Sequence, residues 1–408
     1  MRIREPIVGG LRPPGFCACP VLREGLMPSL PVLFALLPAA CVVQDSPLSS
    51  LDALPTREVR PDLTIGSLNH PHLAFSRIGD LSVGPDGNLY VLEAMDVQIV
   101  VVDPTGQFVG RIGRRGAGPG EFRSPAGIGW IGDTLWVMDA GARRVTYFLG
   151  SEVVRTEAYP AVPMGPGENL AALYPLAKGE YLGVLANTPS TGDPAGMRPF
   201  PLLRIDAAGV VKDTLALLRE SYPLRIRIAT STGYISTSPL VHDFPLHRVS
   251  RDGDQVVVLD RPIAEGNLNR TTITWVRSSG DTIRVRHLTS RPVPISDRQW
   301  EARIEERFQS ASRSRLSRQD YLRALRRPPS FPPASGFVVA RDGRYWLARE
   351  DILGEAERRW VALDGEGKPL FEVRLPRRFQ LHEAMENALW GVMLDDLGVP
   401  WIHRYSIL

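Results

Sequence analysis

Residues 78–125 read IGDLSVGPDGNLYVLEAMDVQIVVVDPTGQFVGRIGRRGAGPGEFRSP, and this stretch decides the fold. In period two it gives four short strands, Leu81–Gly84, Asn88–Leu92, Gln98–Val102 and Phe108–Ile112. Between them lie Pro85-Asp86-Gly87-Asn88 and Asp103-Pro104-Thr105-Gly106, which supply the positive-φ positions that hairpin turns need. Four consecutive antiparallel strands, a Gly-rich link and a second copy make the repeating unit of a β-propeller.

Working outward, the same grammar recurs. A second blade spans about 124–160, and a third about 170–218 after a Pro-marked loop. A fourth runs from about Ile235 to Leu288, with Pro239–Leu246 as its innermost strand and Gln255–Leu259 at its centre. A fifth, about 331–376, repeats the strand, Asp-Gly turn, aromatic strand order in Gly336–Ala348. The last segment offers three strands, near 380–384, 388–394 and 401–407. An incomplete blade would leave open sheet edges, so the segment 56–66 is expected to supply the missing strand. The expectation is an all-β, six-bladed β-propeller of four-stranded antiparallel blades over 57–408, with seven blades as the alternative count.

One stretch, 296–328, breaks the β pattern and reads as a helical insertion between blades four and five. Ser296-Asp297-Arg298-Gln299 is a capping box, and Trp300, Ile304, Phe308 and Ala311 form one apolar face. A second helix begins near Ser317 and stops at Pro328. The insertion carries nine Arg against five acidic residues. It reads as a helical pair lying over a blade, or as a docking surface for an anionic ligand or lipid headgroups.

The link Gly113–Phe122, followed by Ser124-Pro125-Ala126-Gly127-Ile128 and the strand Leu135–Asp139, resembles an NHL-repeat blade. That resemblance covers roughly 72–150 and implies a propeller of the bacterial exported or lipoprotein type. It implies no reaction, because propellers host enzymes, receptors and scaffolds alike.

Composition narrows the function. Formal net charge is +3, from 48 basic and 45 acidic residues, which gives no electrostatic reason to expect nucleic acid. Met27–Ala40 is an uncharged run with an apolar centre, too short to span a bilayer but fitting a signal-peptide core. Residues 1–40 are therefore a signal peptide, or an over-extended N-terminus with Met27 as initiator. A buried N-terminal helix is the competing reading, which Pro31 and Pro38 would disturb. Cys41 follows Leu37-Pro38-Ala39-Ala40 like a lipobox cysteine, so lipidation at Cys41 and a tether over 41–56 are expected. Removing 1–40 takes away four Arg and two Glu and brings the charge to +1. The mature chain would keep one thiol and no disulfide, as a monomer on the bacterial cell envelope.

No serine-nucleophile motif, His-Glu-x-x-His or zinc pattern occurs in the sequence. No catalytic residue, metal ligand or cofactor is assigned. The candidate ligand-binding residues are Glu93, Asp139, Arg143, His242 and Asp243. Glu93, Asp139 and Arg143 follow the second strands of blades one and two, which puts them on the loop-rich rim, where an Asp can equally brace its loops. His242 and Asp243 lie in the strand read as the innermost of blade four, where side chains can face the channel. The leading expectation is a non-catalytic propeller that binds a protein, peptide or glycan. The alternative is a calcium-dependent lactonase- or arylesterase-like hydrolase, which needs about six oxygen ligands from several blades. For that role only Asp80 and Asp243 suggest themselves.

Overall fold

In the computed structural model the described residues are 48–162, 168–187, 199–219, 226–230, 233–237, 239–264, 266–310, 318–319, 322 and 325–408. The segment 1–40 expected as a signal peptide and Cys41 lie outside them, as does most of the second predicted helix.

The chain is a six-bladed β-propeller. Blade one is Ile78–Val83, Leu89–Glu93, Gln98–Val102 and Phe108–Ile112, paired antiparallel in that order from the inside out. Pro125–Ile131, Thr134–Asp139, Arg144–Leu149 and Glu152–Ala158 form blade two. Blade three starts at Glu168–Pro175 and ends at Val211–Leu218. Blade four starts at Leu246–Val249 and ends at Thr282–Ser290, and blade five runs from Gly336–Val339 to Pro369–Pro376. Between blades three and four lies a separate hairpin, Ile226–Thr230 with Gly233–Thr237.

The second strand of a blade has neighbouring blades on both faces, so its sequence can be apolar nearly throughout instead of alternating. Leu89–Glu93 and Tyr345–Ala348 are buried at every position. The outermost strand Glu152–Ala158 is almost wholly exposed. Six hydrophobic clusters fill the gaps between adjacent blades: Leu81, Val91 and Val100 of blade one, for example, meet Trp390 and Ile402 of blade six. Tyr90 packs edge-on against Trp130 of blade two at 4.9 Å, and Trp275 of blade four donates to the Tyr345 hydroxyl of blade five at 2.7 Å.

Blade six closes the ring. Its strands Gln380–Met385, Ala388–Leu394 and Pro400–Ile407 take Val59–Ile65 as the outer fourth, as the edge argument requires. The N-terminal segment does more than close this blade. Ser49–Ser50 pairs in parallel with the outer strand of blade four, and Leu51 is 1% exposed. Arg57 N–H then donates to Glu372 O, and Glu372 N–H to Pro55 O, on the outer strand of blade five. From Ser49 onward the stretch expected as a tether is therefore a belt across the edges of three blades. Paired backbone and a buried leucine hold it there.

The predicted capping box forms: Gln299 N–H donates to Ser296 Oγ at 3.3 Å and Ser296 N–H to Gln299 Oε1 at 3.0 Å. Helix α1, Asp297–Ser310, turns Ile304 inward and rests on blade five. The anchor is Asp351, which accepts from Arg303 at 3.1 Å, Arg358 at 2.6 Å and Arg377 at 2.8 Å. Burial raises the Asp351 pKa and the three guanidinium groups more than reverse that, leaving it at about 2. Arg303 of the insertion is thus committed to docking helix α1 on blade five.

Candidate functional site

The rim candidates act on the backbone. The Asp139 carboxylate is fully buried and accepts four main-chain N–H bonds, from Arg123 at 2.8 Å, Ser124 at 2.9 Å, Ala142 at 3.0 Å and Gly141 at 3.1 Å. Glu93 does the same in blade one, with Ser76 at 3.0 Å, Met95 at 3.0 Å and Arg77 at 3.1 Å. Arg143 is an exposed turn residue with φ of 51°, and its carbonyl accepts from Tyr159 N–H.

His242 and Asp243 do not lie on an inner strand. Blade four begins only at Leu246, and both residues sit in the approach to it. Arg261, 2% exposed, donates to Phe244 O at 2.9 Å and Ala334 O at 2.7 Å and contacts His242 Nδ1 at 3.3 Å. Asp243 accepts from Ile263 N–H at 2.9 Å and pairs with Arg219 at 3.5 Å. Burial brings the Arg261 guanidinium down to about 10 and, with Arg261 beside it, lowers the His242 imidazole. The reason for the misplacement is local. Phe244-Pro245-Leu246 reads as apolar strand, but Pro245 has no N–H for a ladder, so pairing starts one residue later.

The inner strands enclose a central cavity of about 600 Å³. Its charged wall is Asp80, Arg248, Arg251, His382 and Glu383, with His247 and Tyr174 beside Arg248. Asp80, from blade one, accepts from Leu81 N–H at 2.9 Å and Ile128 N–H at 3.3 Å and meets His382 Nδ1 of blade six at 3.3 Å. Ser82 Oγ donates to Glu383 Oε2 at 3.0 Å, and Arg251 pairs with the same oxygen at 3.3 Å.

Arg251 belongs to the turn after the inner strand of blade four, and its other terminal nitrogen donates to Val83 O of blade one. In a six-bladed ring blades one and four are opposite, so this side chain bars one end of the channel. Arg341, in the matching turn of blade five, donates to Gly84 O. A Cβ at Gly84 would lie 2.6 Å from Tyr90 and 3.0 Å from Trp130, so glycine alone brings that carbonyl to its place.

Burial raises the Glu383 pKa against the pull of Arg251, and burial lowers that of Arg251. Both partners are penalised for their charge, the mark of an ion pair that costs desolvation. Arg248 differs. It reaches the cavity, is solvent-accessible, and donates only to its neighbour's His247 O at 2.8 Å. No carboxylate among the described residues pairs with it. His247 Nε2 is buried without a partner, and burial lowers that imidazole to about 4, so it is neutral at physiological pH.

Sequence reading had found Asp80 but not Arg248, Arg251, Arg341, His382 or Glu383. A signal for two of them existed. Arg251-Asp252-Gly253 and Arg341-Asp342-Gly343 repeat at the same turn, where blade one has Pro85-Asp86-Gly87.

Residues 73–182 match a protein-family model described as a 6-bladed beta-propeller, which covers two of the blades and the start of a third. No curated protein matches the sequence. Among solved structures, a candidate exported protein of Bacteroides fragilis is 11% identical, with 86% of this chain and 99% of that one covered and a TM-score of 0.46. A DUF4221-family protein of Bacteroides vulgatus is 10% identical over 86% and 99%, with a TM-score of 0.48. A gluconolactonase of Xanthomonas campestris is 15% identical over 90% and 99%, with a TM-score of 0.36.

Proposed function

We propose that this chain is a non-catalytic propeller of the bacterial envelope, exported and held by a lipid on Cys41, that receives a protein, peptide or glycan partner at the open end of its channel. The observation that carries the reading is the channel itself. Polar groups from opposite blades converge in one cavity, one end is barred by Arg251, and Arg248 stands inside without a carboxylate. A concave site with a few convergent polar groups is the usual form of a binding site.

The test compares proximity crosslinking of the intact chain with that of Ala126→Trp. Ala126 is exposed in the channel wall, so the indole narrows the cavity. Partners lost on that substitution bind through the channel, and a crosslinking pattern identical to that of the natural chain refutes the reading. Cys41→Ser checks the anchor, with release from the membrane fraction as the expected result.

One observation favours a hydrolase. The Asp80–His382 pair, at 3.3 Å, has the arrangement of an acid–base dyad in which a carboxylate orients an imidazole. Calcium does not fit this lining. Only Asp80 and Glu383 supply carboxylates, both are engaged, and Arg248 and Arg251 face the same space. Aryl-ester or lactone turnover lost in His382→Ala would replace the binding reading.

A further inference from the structure

We propose that the channel is a blind receptor for a carboxylate, presented by a free organic acid or by the carboxyl end of a peptide, with Arg248 as the group that binds it. The proposal rests on the channel being the binding site and adds the chemistry of what enters.

Three observations lead there. First, the cavity wall holds two guanidinium groups, Arg248 and Arg251, and two carboxylates, Asp80 and Glu383, and Arg251 already takes Glu383 while His247 is neutral. Second, the engagements are unequal. Arg251 is committed to Glu383 and Val83 O, Arg341 to Gly84 O, and Asp80 to two backbone N–H groups and His382. Of the two guanidinium groups lining the cavity, Arg248 alone has no carboxylate partner among the described residues. Its Nη1 donates to His247 O and its Nη2 stays open to a visitor, and a guanidinium matches a carboxylate with two parallel bonds. Third, the arginine bar closes one end, so a chain cannot thread through and must present a terminus. Asp80 disfavours a second negative charge nearby, which points to a monocarboxylate.

Tyr174 and His247 pack edge-on at 5.9 Å beside Arg248. They give the acid's first carbons an aromatic wall. The ligand would stand with its carboxylate on Arg248 and its remainder toward the open end.

The experiment titrates the full chain with two matched pairs. One pair is benzoate and benzamide; the other is an equimolar mixture of N-acetylated tetrapeptides with free or amidated carboxyl ends. Binding is read by calorimetry and by the fluorescence of Trp130 and Trp136, which line the cavity. The free acids should bind at least about 10-fold tighter than the amides, and Arg248→Gln should erase that difference, a loss of about 10- to 100-fold for a charged pair of hydrogen bonds. The unfolding midpoint of Arg248→Gln should stay at the natural value, since no ion pair is broken. Tighter binding of the peptides than of benzoate would identify a peptide end as the source, and the reverse a free acid. Equal binding of acids and amides that Ala126→Trp abolishes would overturn the carboxylate proposal and leave the channel reading standing. Binding that survives Ala126→Trp, or none at all, would overturn both.

Discussion

Replacing Asp139 by alanine separates a rim ligand-binding residue from a structural brace. Four main-chain N–H groups converge on this carboxylate at 2.8 to 3.1 Å, and it is fully buried. A buried donor left without an acceptor costs about 1–3 kcal/mol. Four such losses cannot simply be summed, because Arg123, Ser124 and Gly141 are exposed residues whose amides water can partly reach. The expected cost is therefore about 3–5 kcal/mol, near the top of the range for a single substitution. Asp139→Asn keeps one acceptor oxygen but turns an amide donor toward the remaining N–H groups, so about half that loss is expected. Urea unfolding followed by tryptophan fluorescence measures both, and the Asn variant covers the case in which Ala does not fold. A loss below about 1 kcal/mol in both variants would refute the bracing account.

Acid should loosen helix α1. The folded-state pKa of Asp351 is about 2, below its unfolded value, so its contribution is complete above about pH 4 and disappears as pH falls through 2. After allowance for solvent screening that amounts to about 1–2 kcal/mol, and faster hydrogen exchange in 297–310 between pH 4 and 2 would report it. Leu51→Ala should free the N-terminal belt at a cost of about 2–3 kcal/mol, seen as new proteolytic cleavage before Thr56 with the blades intact. Gly113 has φ of 76°, and a Cβ there would lie 2.1 Å from the Phe122 ring. Gly113→Ala should therefore lower the unfolding midpoint by several degrees, whereas Gly343→Ala, with φ of 82° but open space, should cost about 1 kcal/mol.

Architecture was legible because propeller blades are local. All but the closing blade are four sequential strands, so Gln98–Val102 and Phe108–Ile112 could be bounded to the residue from period and turn chemistry alone. The closing strand was legible by a negative argument, that a three-stranded blade has an open edge. The belt from Ser49 to Arg57 was not, since its pairings join residues more than two hundred positions apart and rest on backbone atoms that any side chain supplies. The channel was the least legible part. Its wall draws residues from all six blades, and no spacing in the sequence encodes which inner-strand residues meet at the axis. His242-Asp243 looked like a channel-facing ligand-binding pair and instead serves to fix the approach to blade four. His382 and Asp80 are 302 positions apart and touch.

The distribution of cost within the molecule bears on where selection for binding acts. Stability comes from the six gaps between blades, whose clusters are apolar and need nothing from the axis. At the axis the chain instead buries an Arg251–Glu383 pair that burial penalises on both sides. A well-packed apolar pair of similar volume would often be neutral or stabilising. The pair also holds Arg251 across the full width of the channel to Val83 O, a geometry that an apolar side chain cannot supply. A folded propeller needs neither this bar nor the uncommitted guanidinium of Arg248 above it. Together they make a cup closed at one end in which Arg248 is the lining guanidinium without a carboxylate partner among the described residues, an arrangement consistent with the proposed receptor for one negative charge.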